Sequence, residues 1–541
     1  MLGNATCEQP CSLTFSFSDI RIIGKGRRIQ MKKIAHLLLG RFSIVAVSII
    51  LQFFWLVMVM YQFSYQFTYA NLAIRTIAII VVLVIVNRWT NPANKLSWTF
   101  IILLSPVLGL LLYMIFGRSS LTKKTQERMD SVNREVSACL YQTPEIKEQL
   151  EREDISVYRQ SKYINDWAGF PLYHNTSTKY YSCGEEMFPD MLADLEKAEH
   201  FIFLEYFIVD QGVMFDRIVE VLEQKSKEGV DVRLIYDDIG CINTLPPKYY
   251  KVLQAKGIKC AAFNPFRPIM SVVMNNRDHR KIFVVDGKVG FTGGINLADE
   301  YINVASRFGY WKDTGIRLEG EAVWSMTTMF LEMWNYINHF SEDYKQFMPQ
   351  VYQKEPFEGD GFVQPYGDTP LDHETVGENI YLNIINHAER YVYIFTPYLI
   401  IDNEMLVSLC NAAKRGVDVR IVTPGIPDKK MIFLLTQSHY EPLLKCGVKI
   451  YQYTPGFIHA KSFLCDDKIG TVGSINLDYR SLFLHFECGV FMYKTKALMQ
   501  LKEDCVDTFA ASEEMTLEFC RGQNVFIRIF QGMMRLFAPL L

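Results

Sequence analysis

The chain has no surplus of charge. Its 56 Lys and Arg face 59 Asp and Glu, for a net charge of −3. That balance argues against a dedicated nucleic-acid binder, which carries a basic excess. Composition is not low in apolar residues either, at 49% hydrophobic and 21% charged, so a disordered or low-complexity chain is excluded. Closely spaced cysteine pairs are nearly missing. Of twelve cysteines only Cys7 and Cys11 fall near each other, with no second Cys/His pair to complete a zinc site. The rest read as free buried thiols of a reducing compartment. A D-G-x2-A-R run with downstream aspartates is also missing.

What is present begins with a lopsided N-terminus. Residues 1–41 form a basic segment, in which Arg21, Lys25, Arg27, Arg28, Lys32, Lys33 and Arg41 meet no acid after residue 20. Uncharged runs follow at 42–60 and 96–116, both of bilayer length, with a shorter run around 76–86 that extends from Ala70 to Trp89. Residues 42–118 are therefore expected to be a membrane anchor of two or three transmembrane helices, with Pro106 tolerated inside the last. Buried core helices are the alternative for each run, most of all for 70–89. The leading basic residues should keep the N-terminus in the cytoplasm. Arg118, Lys123, Lys124 and Arg128, together with the thiols, pull the region beyond residue 118 to the same side. An odd number of spans would conflict with that, so a cytoplasmic catalytic region remains an expectation of a multi-pass protein of the cell membrane.

Residues 119–165, charged and helical in pattern, read as a linker. Beyond them one order of elements appears twice. HFIFLEYFIVD, an amphipathic helix and VDVRLIY answer YVYIFTPYLIID, another helix and VDVRIVTP. Gly229 and Gly416 each introduce the same VDVR. Alternating strands and helices mean an α/β sandwich, and the repeat means two halves related by a pseudo-twofold axis, over 166–345 and 379–541. The Pro-, Gly-, Asp- and Glu-rich stretch from 341 supplies a linker at 346–378. Residues 524–541 place Arg528 and Arg535 seven apart among Phe, Ile, Met and Leu. That suits a C-terminal amphipathic helix, lying in an anionic membrane interface or packed on the core.

Each half delivers one signature. His279-Arg280-Lys281-IFVV-Asp286 precedes Gly293-Gly294-Ile295-Asn296, and His459-Ala460-Lys461-SFLC-Asp466 precedes Gly473-Ser474-Ile475-Asn476. One H-x-K-x4-D is weak; two copies at matched distance from Gly-(Gly/Ser)-x-Asn in matched halves are strong. On a strand His and Lys of each motif would share a face. The aspartates, beyond an apolar stretch, are placed to orient backbone or neighbours. Two such faces across the dyad bring together two imidazoles, two ammoniums and the amides of Asn296 and Asn476. That pocket fits a phosphodiester, with donors on the non-bridging oxygens and a histidine on each side for in-line displacement. Core histidines with incidental lysines are the bland alternative. Asp313 and Glu487 fit as orienters of the histidines, or as ion-pair partners. No carboxylate cluster has divalent-ligand spacing, so neither metal nor other cofactor is expected.

These motifs, with SPVLGLLLYMIFGR, LEYFIVDQG, GGINLADEY, TPYLIID, PGFIHAKSFLCDD and VGSINLDYRS, resemble the phospholipase D superfamily. They are more similar still to bacterial cardiolipin synthases, over about residues 75 to 541. The resemblance implies two phospholipase D-like halves behind transmembrane helices, and transfer of a phosphatidyl group from one phosphatidylglycerol to another with release of glycerol. It implies His279, Lys281, Asp286, His459, Lys461 and Asp466 as the catalytic set, with the first motif's histidine attacking to form a covalent phosphohistidine. Phosphatidylglycerol and an anionic membrane are the partners it implies. A phospholipase or another phosphatidyltransferase would share this pocket and differ in the acceptor, while a non-catalytic scaffold would not need both motifs intact.

Overall fold

The computed structural model describes residues 68–540 apart from 118–122, 266–274, 341, 354 and 373, and only scattered positions before 68. The basic segment and the run at 42–60 lie outside the described residues or largely so.

The repeated sequence becomes a repeated sheet. The first half contributes β1 (Thr176–Tyr181), β2 (Phe201–Tyr206), β3 (Asp231–Asp237), β4 (Lys259–Phe263), β5 (Ile282–Val285), β6 (Val289–Gly293) and β7 (Gly315–Gly320). Their order is β1-β7-β6-β5-β2-β3-β4. The second half contributes β8 (Phe362–Asp368), β9 (Tyr391–Phe395), β10 (Asp418–Pro424), β11 (Lys449–Tyr453), β12 (Ser462–Cys465), β13 (Ile469–Gly473), β14 (His485–Tyr493) and β15 (Ser512–Glu514). Here the order is β8-β14-β13-β12-β9-β10-β11-β15, the same path with one added edge strand. In both, the pairs from the repeated strand outward, β2–β3–β4 and β9–β10–β11, are parallel, as crossover helices require. The Gly-VDVR repeat has a backbone cause. Gly229 at φ 95° and Gly416 at φ 94° end the crossover helices in the left-handed conformation that glycine adopts without strain.

Central strands are apolar on both faces because both are covered. Phe201 and Phe203 of β2 enter the large core shared with the second half, while Ile202 and Leu204 enter a separate cluster under the helix Val213–Lys227. The helix Val323–Asn338, buried along most of its length, packs among strands of both sheets.

Three expected boundaries need correction. Residues 123–168 are not a linker: helices Lys123–Ser137, Pro144–Glu153 and Ile155–Ala168 insert Met129, Val132, Val136, Leu150, Val157 and Ile164 into the main core. The stretch 346–378 carries β8, which pairs antiparallel with β14 from Phe362↔Tyr493 to Asp368↔Glu487 and belongs to the second sheet. The run 96–116 is not one helix. Helices Pro92–Leu104 and Pro106–Phe116 meet at Ser105, at φ −140° and ψ 84°. A residue before proline is pushed out of the helical region, and nothing here overrides it. The two pieces fold onto each other so closely that a Cβ on Gly109 would lie 2.5 Å from Ile102 Cα.

Among the described residues one helix, Tyr69–Val86, is long and apolar enough to cross a membrane, with mean hydropathy 2.3. Leu72, Ile79, Ile80 and Leu83 are exposed on it. The C-terminal helix Val525–Phe537 packs on the protein along one face and leaves an apolar row exposed on another. Leu536 O accepts from Ser97 Oγ at 2.6 Å, and Met534 packs beside Leu435 and Ala538. Val525, Phe526, Ile529 and Met533 stay exposed.

Candidate active site

The two halves exchange strands at the centre. Arg277–Asp278 pairs parallel with His485–Phe486, and Tyr310–Lys312 pairs parallel with Gly456–Ile458. Each motif histidine stands at the end of one exchanged strand, in the extended link that precedes β5 or β12 rather than on the strand itself. The backbone of each is tied to the opposite half: His279 N donates to Phe486 O at 2.9 Å, His459 N to Lys312 O at 2.7 Å.

That exchange delivers the orienting carboxylates. His279 Nδ1 lies 2.9 and 3.0 Å from the Glu487 oxygens, and His459 Nδ1 lies 2.7 Å from Asp313 Oδ2. Both carboxylates are fully buried, so each half holds the other half's imidazole. With Nδ1 committed as the donor, each Nε2 presents a lone pair. Sequence spacing placed both acids near the site but could not show which histidine each would serve.

The lysines sit as expected, two residues on and buried. Lys281 Nζ donates to His279 O at 2.6 Å, and Lys461 Nζ makes the equivalent bond to His459 O. One donor on each is thereby used and the others are free for phosphoryl oxygens. Asn296 is more occupied than its motif suggests: Oδ1 accepts from Ile208 N at 3.0 Å and Nδ2 donates to Tyr301 Oη at 2.8 Å, leaving one N–H. Asn476 is buried with Oδ1 lacking any hydrogen-bond partner.

Asp286 and Asp466 stand apart from this pocket. Asp286 accepts from the amides of Glu199, His200 and Phe201 at 2.8–2.9 Å, and Asp466 from those of Glu389, Arg390 and Tyr391 at 2.7–2.9 Å. They lock the turns that launch β2 and β9, as their place beyond the apolar stretch suggested. Replacing Asp286 by Ala deprives three backbone donors, that of Phe201 buried, of a charged acceptor. We expect a loss of roughly 3 kcal/mol of stability, read as a lower unfolding midpoint, with turnover per folded molecule little changed.

Burial sets the electrostatics. It drives His279 well below the ordinary imidazole range, with Lys281, Lys461 and His459 adding to the effect. His459 settles at about 4, because burial and Lys461 lower it while Asp313 holds it up. Burial also lowers Lys281 to about 8 and Lys461 to about 7, against the pull of Glu487 and Asp313. For Asp313, burial acts upward, but His459 and Lys461 outweigh it and keep the carboxyl below its usual range. Both imidazoles are thus neutral in the free site. An arriving phosphodiester anion raises all four groups, restoring the ammoniums just where charge is needed.

The sequence reading gave Ser474 no role of its own and passed over His485. Ser474 Oγ donates to Glu487, bracing it. Its counterpart is Gly294, where a Cβ would come within 2.0 Å of Asp313 Oδ1. The Gly/Ser difference between the motifs was the available signal. His485, 5.6 Å from His279 between ring centroids, was hidden in the strand run HFECGV.

A family model described as "Cardiolipin synthase, PLD-like domain" matches residues 191–307 and 381–506, one copy over each motif. A second, "Phospholipase_D-nuclease N-terminal", matches 76–118. "Cardiolipin synthase 1" of Bacillus cereus is 34% identical over 520 residues, covering 94% of this chain and 100% of that protein. The chain belongs to the cardiolipin synthase family. "Cardiolipin synthase" of Alkalihalophilus pseudofirmus is 32% identical over 456 residues, covering 83% and 90%. Among solved structures, the phosphatidylserine synthase of Haemophilus influenzae aligns with TM-score 0.54 at 14% identity, covering 71% of this chain and 98% of that one. That likeness concerns the fold: two phospholipase D-like halves in one chain.

Proposed function

We propose that the chain is a phosphatidyltransferase that makes cardiolipin from two molecules of phosphatidylglycerol. The observation that carries the mechanism is the pair of buried imidazoles, each held through Nδ1 by a carboxylate of the opposite half. His279 Nε2 attacks phosphorus of the first lipid, forming a P–N bond as the P–O bond to glycerol breaks. His459, which takes up a proton at Nε2 from solvent as the phosphodiester anion binds and raises its pKa, gives that proton to the departing glycerol oxygen. The hydroxyl of a second phosphatidylglycerol then returns a proton to His459 and attacks phosphorus, breaking the P–N bond. We assign the attack to His279 because the resemblance to the superfamily implies that the first motif's histidine attacks. Lys281, Lys461 and the amides of Asn296 and Asn476 hold the equatorial oxygens, more tightly as charge grows in the transition state.

One phosphodiester replaces another, so no nucleotide is needed, and the two lysines supply the charge that a metal would bring. The helix Tyr69–Val86 and the exposed apolar row of the C-terminal helix support a protein that works at the membrane. We place the catalytic region in the cytoplasm, as part of a multi-pass protein. The ten described cysteines beyond residue 120, all free, support that side.

Purified enzyme given only phosphatidylglycerol and excess chelator should yield cardiolipin and glycerol at undiminished rate on thin-layer analysis. Phosphatidic acid as the main product would make it a hydrolase instead. Loss of turnover that magnesium restores would contradict the site as read.

A further inference from the structure

Pseudo-symmetry isolates the pocket's odd residue. The position two before each orienting carboxylate is Trp311 in the first half and His485 in the second. Trp311 lies 5.3 Å from the His459 ring and directs its only polar atom, Nε1, toward Asp313 Oδ2 at 3.5 Å. His485 lies beside His279 in the same way but brings two ring nitrogens, both buried and neither hydrogen-bonded. Its Nδ1 is 3.8 Å from Glu487 Oε1, the oxygen that lies 2.9 Å from His279 Nδ1. One ligand atom from each of His279, His485 and Glu487 lies within 4.8 Å of the others.

We propose that His279, His485 and Glu487 form a binding site for a divalent ion of the zinc type, whose occupation stops turnover. Two imidazoles and one carboxylate are a zinc donor set, which a water molecule would complete to four. Bonds of about 2.0–2.2 Å from one ion bring tetrahedral ligand atoms to about 3.3–3.5 Å apart, a small adjustment from the spacings found here. Hard ions such as magnesium and calcium prefer oxygen ligands and are poorly served. The other half offers no equivalent, because an indole nitrogen bearing hydrogen cannot ligate.

The inhibitory consequence rests on His279 Nε2 being the nucleophile. For the ion to bind Nδ1, the hydrogen there must leave. In a neutral imidazole it reappears on Nε2 by exchange with water, so no net proton is lost but the attacking lone pair is. The mechanism proposed above calls on no metal, and the same atoms make the enzyme metal-sensitive.

Cobalt(II) is the probe for binding and zinc for inhibition, both with the full-length enzyme in detergent. Cobalt should bind in one equivalent with the visible ligand-field bands of a four-coordinate site. His459→Ala should keep these bands although it lacks turnover. His485→Asn and His485→Gln, each checked for an unchanged unfolding profile, should lose them and weaken binding by roughly tenfold or more. Zinc should inhibit phosphatidylglycerol turnover in wild type, reversibly by chelator, and at least about tenfold less potently in either His485 variant. Equal cobalt binding by wild type and both variants would overturn the site. Zinc bound through His485 with turnover intact would overturn the inhibitory role, and locating the phosphoenzyme shows whether the assignment of His279 falls with it.

Discussion

His279→Ala and His459→Ala each lower cardiolipin formation by on the order of 10^4-fold or more, and they fail at different steps. Without His279 nothing attacks phosphorus, so no phosphoenzyme forms from any lipid. Without His459 the attack still has its nucleophile but the glycerol oxygen has no proton to take. A lipid carrying a nitrophenol head, which leaves as an anion, then still transfers its phosphatidyl group to His279 of the His459→Ala enzyme and releases one equivalent of nitrophenol before stalling. Combining both substitutions should add little to the loss from either alone, because the two act as a unit on one phosphorus. Measured turnover with phosphatidylglycerol, and the nitrophenol burst with the activated lipid, separate the two roles.

Glu487→Gln and Asp313→Asn should each reduce kcat by roughly 10^2-fold or more while leaving KM for phosphatidylglycerol nearly unchanged. Neither carboxylate reaches substrate in the mechanism. Each fixes the tautomer of a histidine across the dyad, and an amide in its place can present N–H to Nδ1 and leave the hydrogen on Nε2. The two variants should also differ. Asp313 is what keeps His459 near 4 against burial and Lys461. Its loss therefore lowers the folded pKa of the general acid further and moves the basic limb of the kcat profile to lower pH. Glu487→Gln should spare that limb and slow formation of the phosphoenzyme instead. A matched fall in activity and in unfolding midpoint, with no change of pH profile, would mean that these acids merely support the fold.

Much of this was legible in the chain. Paired spacings in His279–Asn296 and His459–Asn476 marked the duplication, and Gly229 and Gly416 marked equivalent strand starts whose left-handed backbone the structure shows. Asp313 and Glu487 were found by distance from the motifs. Their crossing from one half to the other was not, because it depends on two short strands, Arg277–Asp278 and Gly456–Ile458, that exist only through pairing with the opposite half. Helices over 123–168 looked like a linker because their charged faces dominate the composition and the buried stripe is thin. The strand Phe362–Asp368 was masked by the prolines, glycines and acids around it. At Ser105 the local rule for a residue before proline prevailed over the length of the apolar run.

The covalent step is the centre of the mechanism, and its most direct test is to locate the phosphorus. The His459→Ala enzyme, mixed with an acyl-labelled lipid bearing a nitrophenol head and quenched in base to preserve phosphohistidine, is digested and its peptides weighed. The phosphatidyl group is expected on the peptide containing His279, and nowhere when His279 is also replaced. Label on another residue, or none from a wild-type enzyme that turns over in the same tube, would contradict the mechanism.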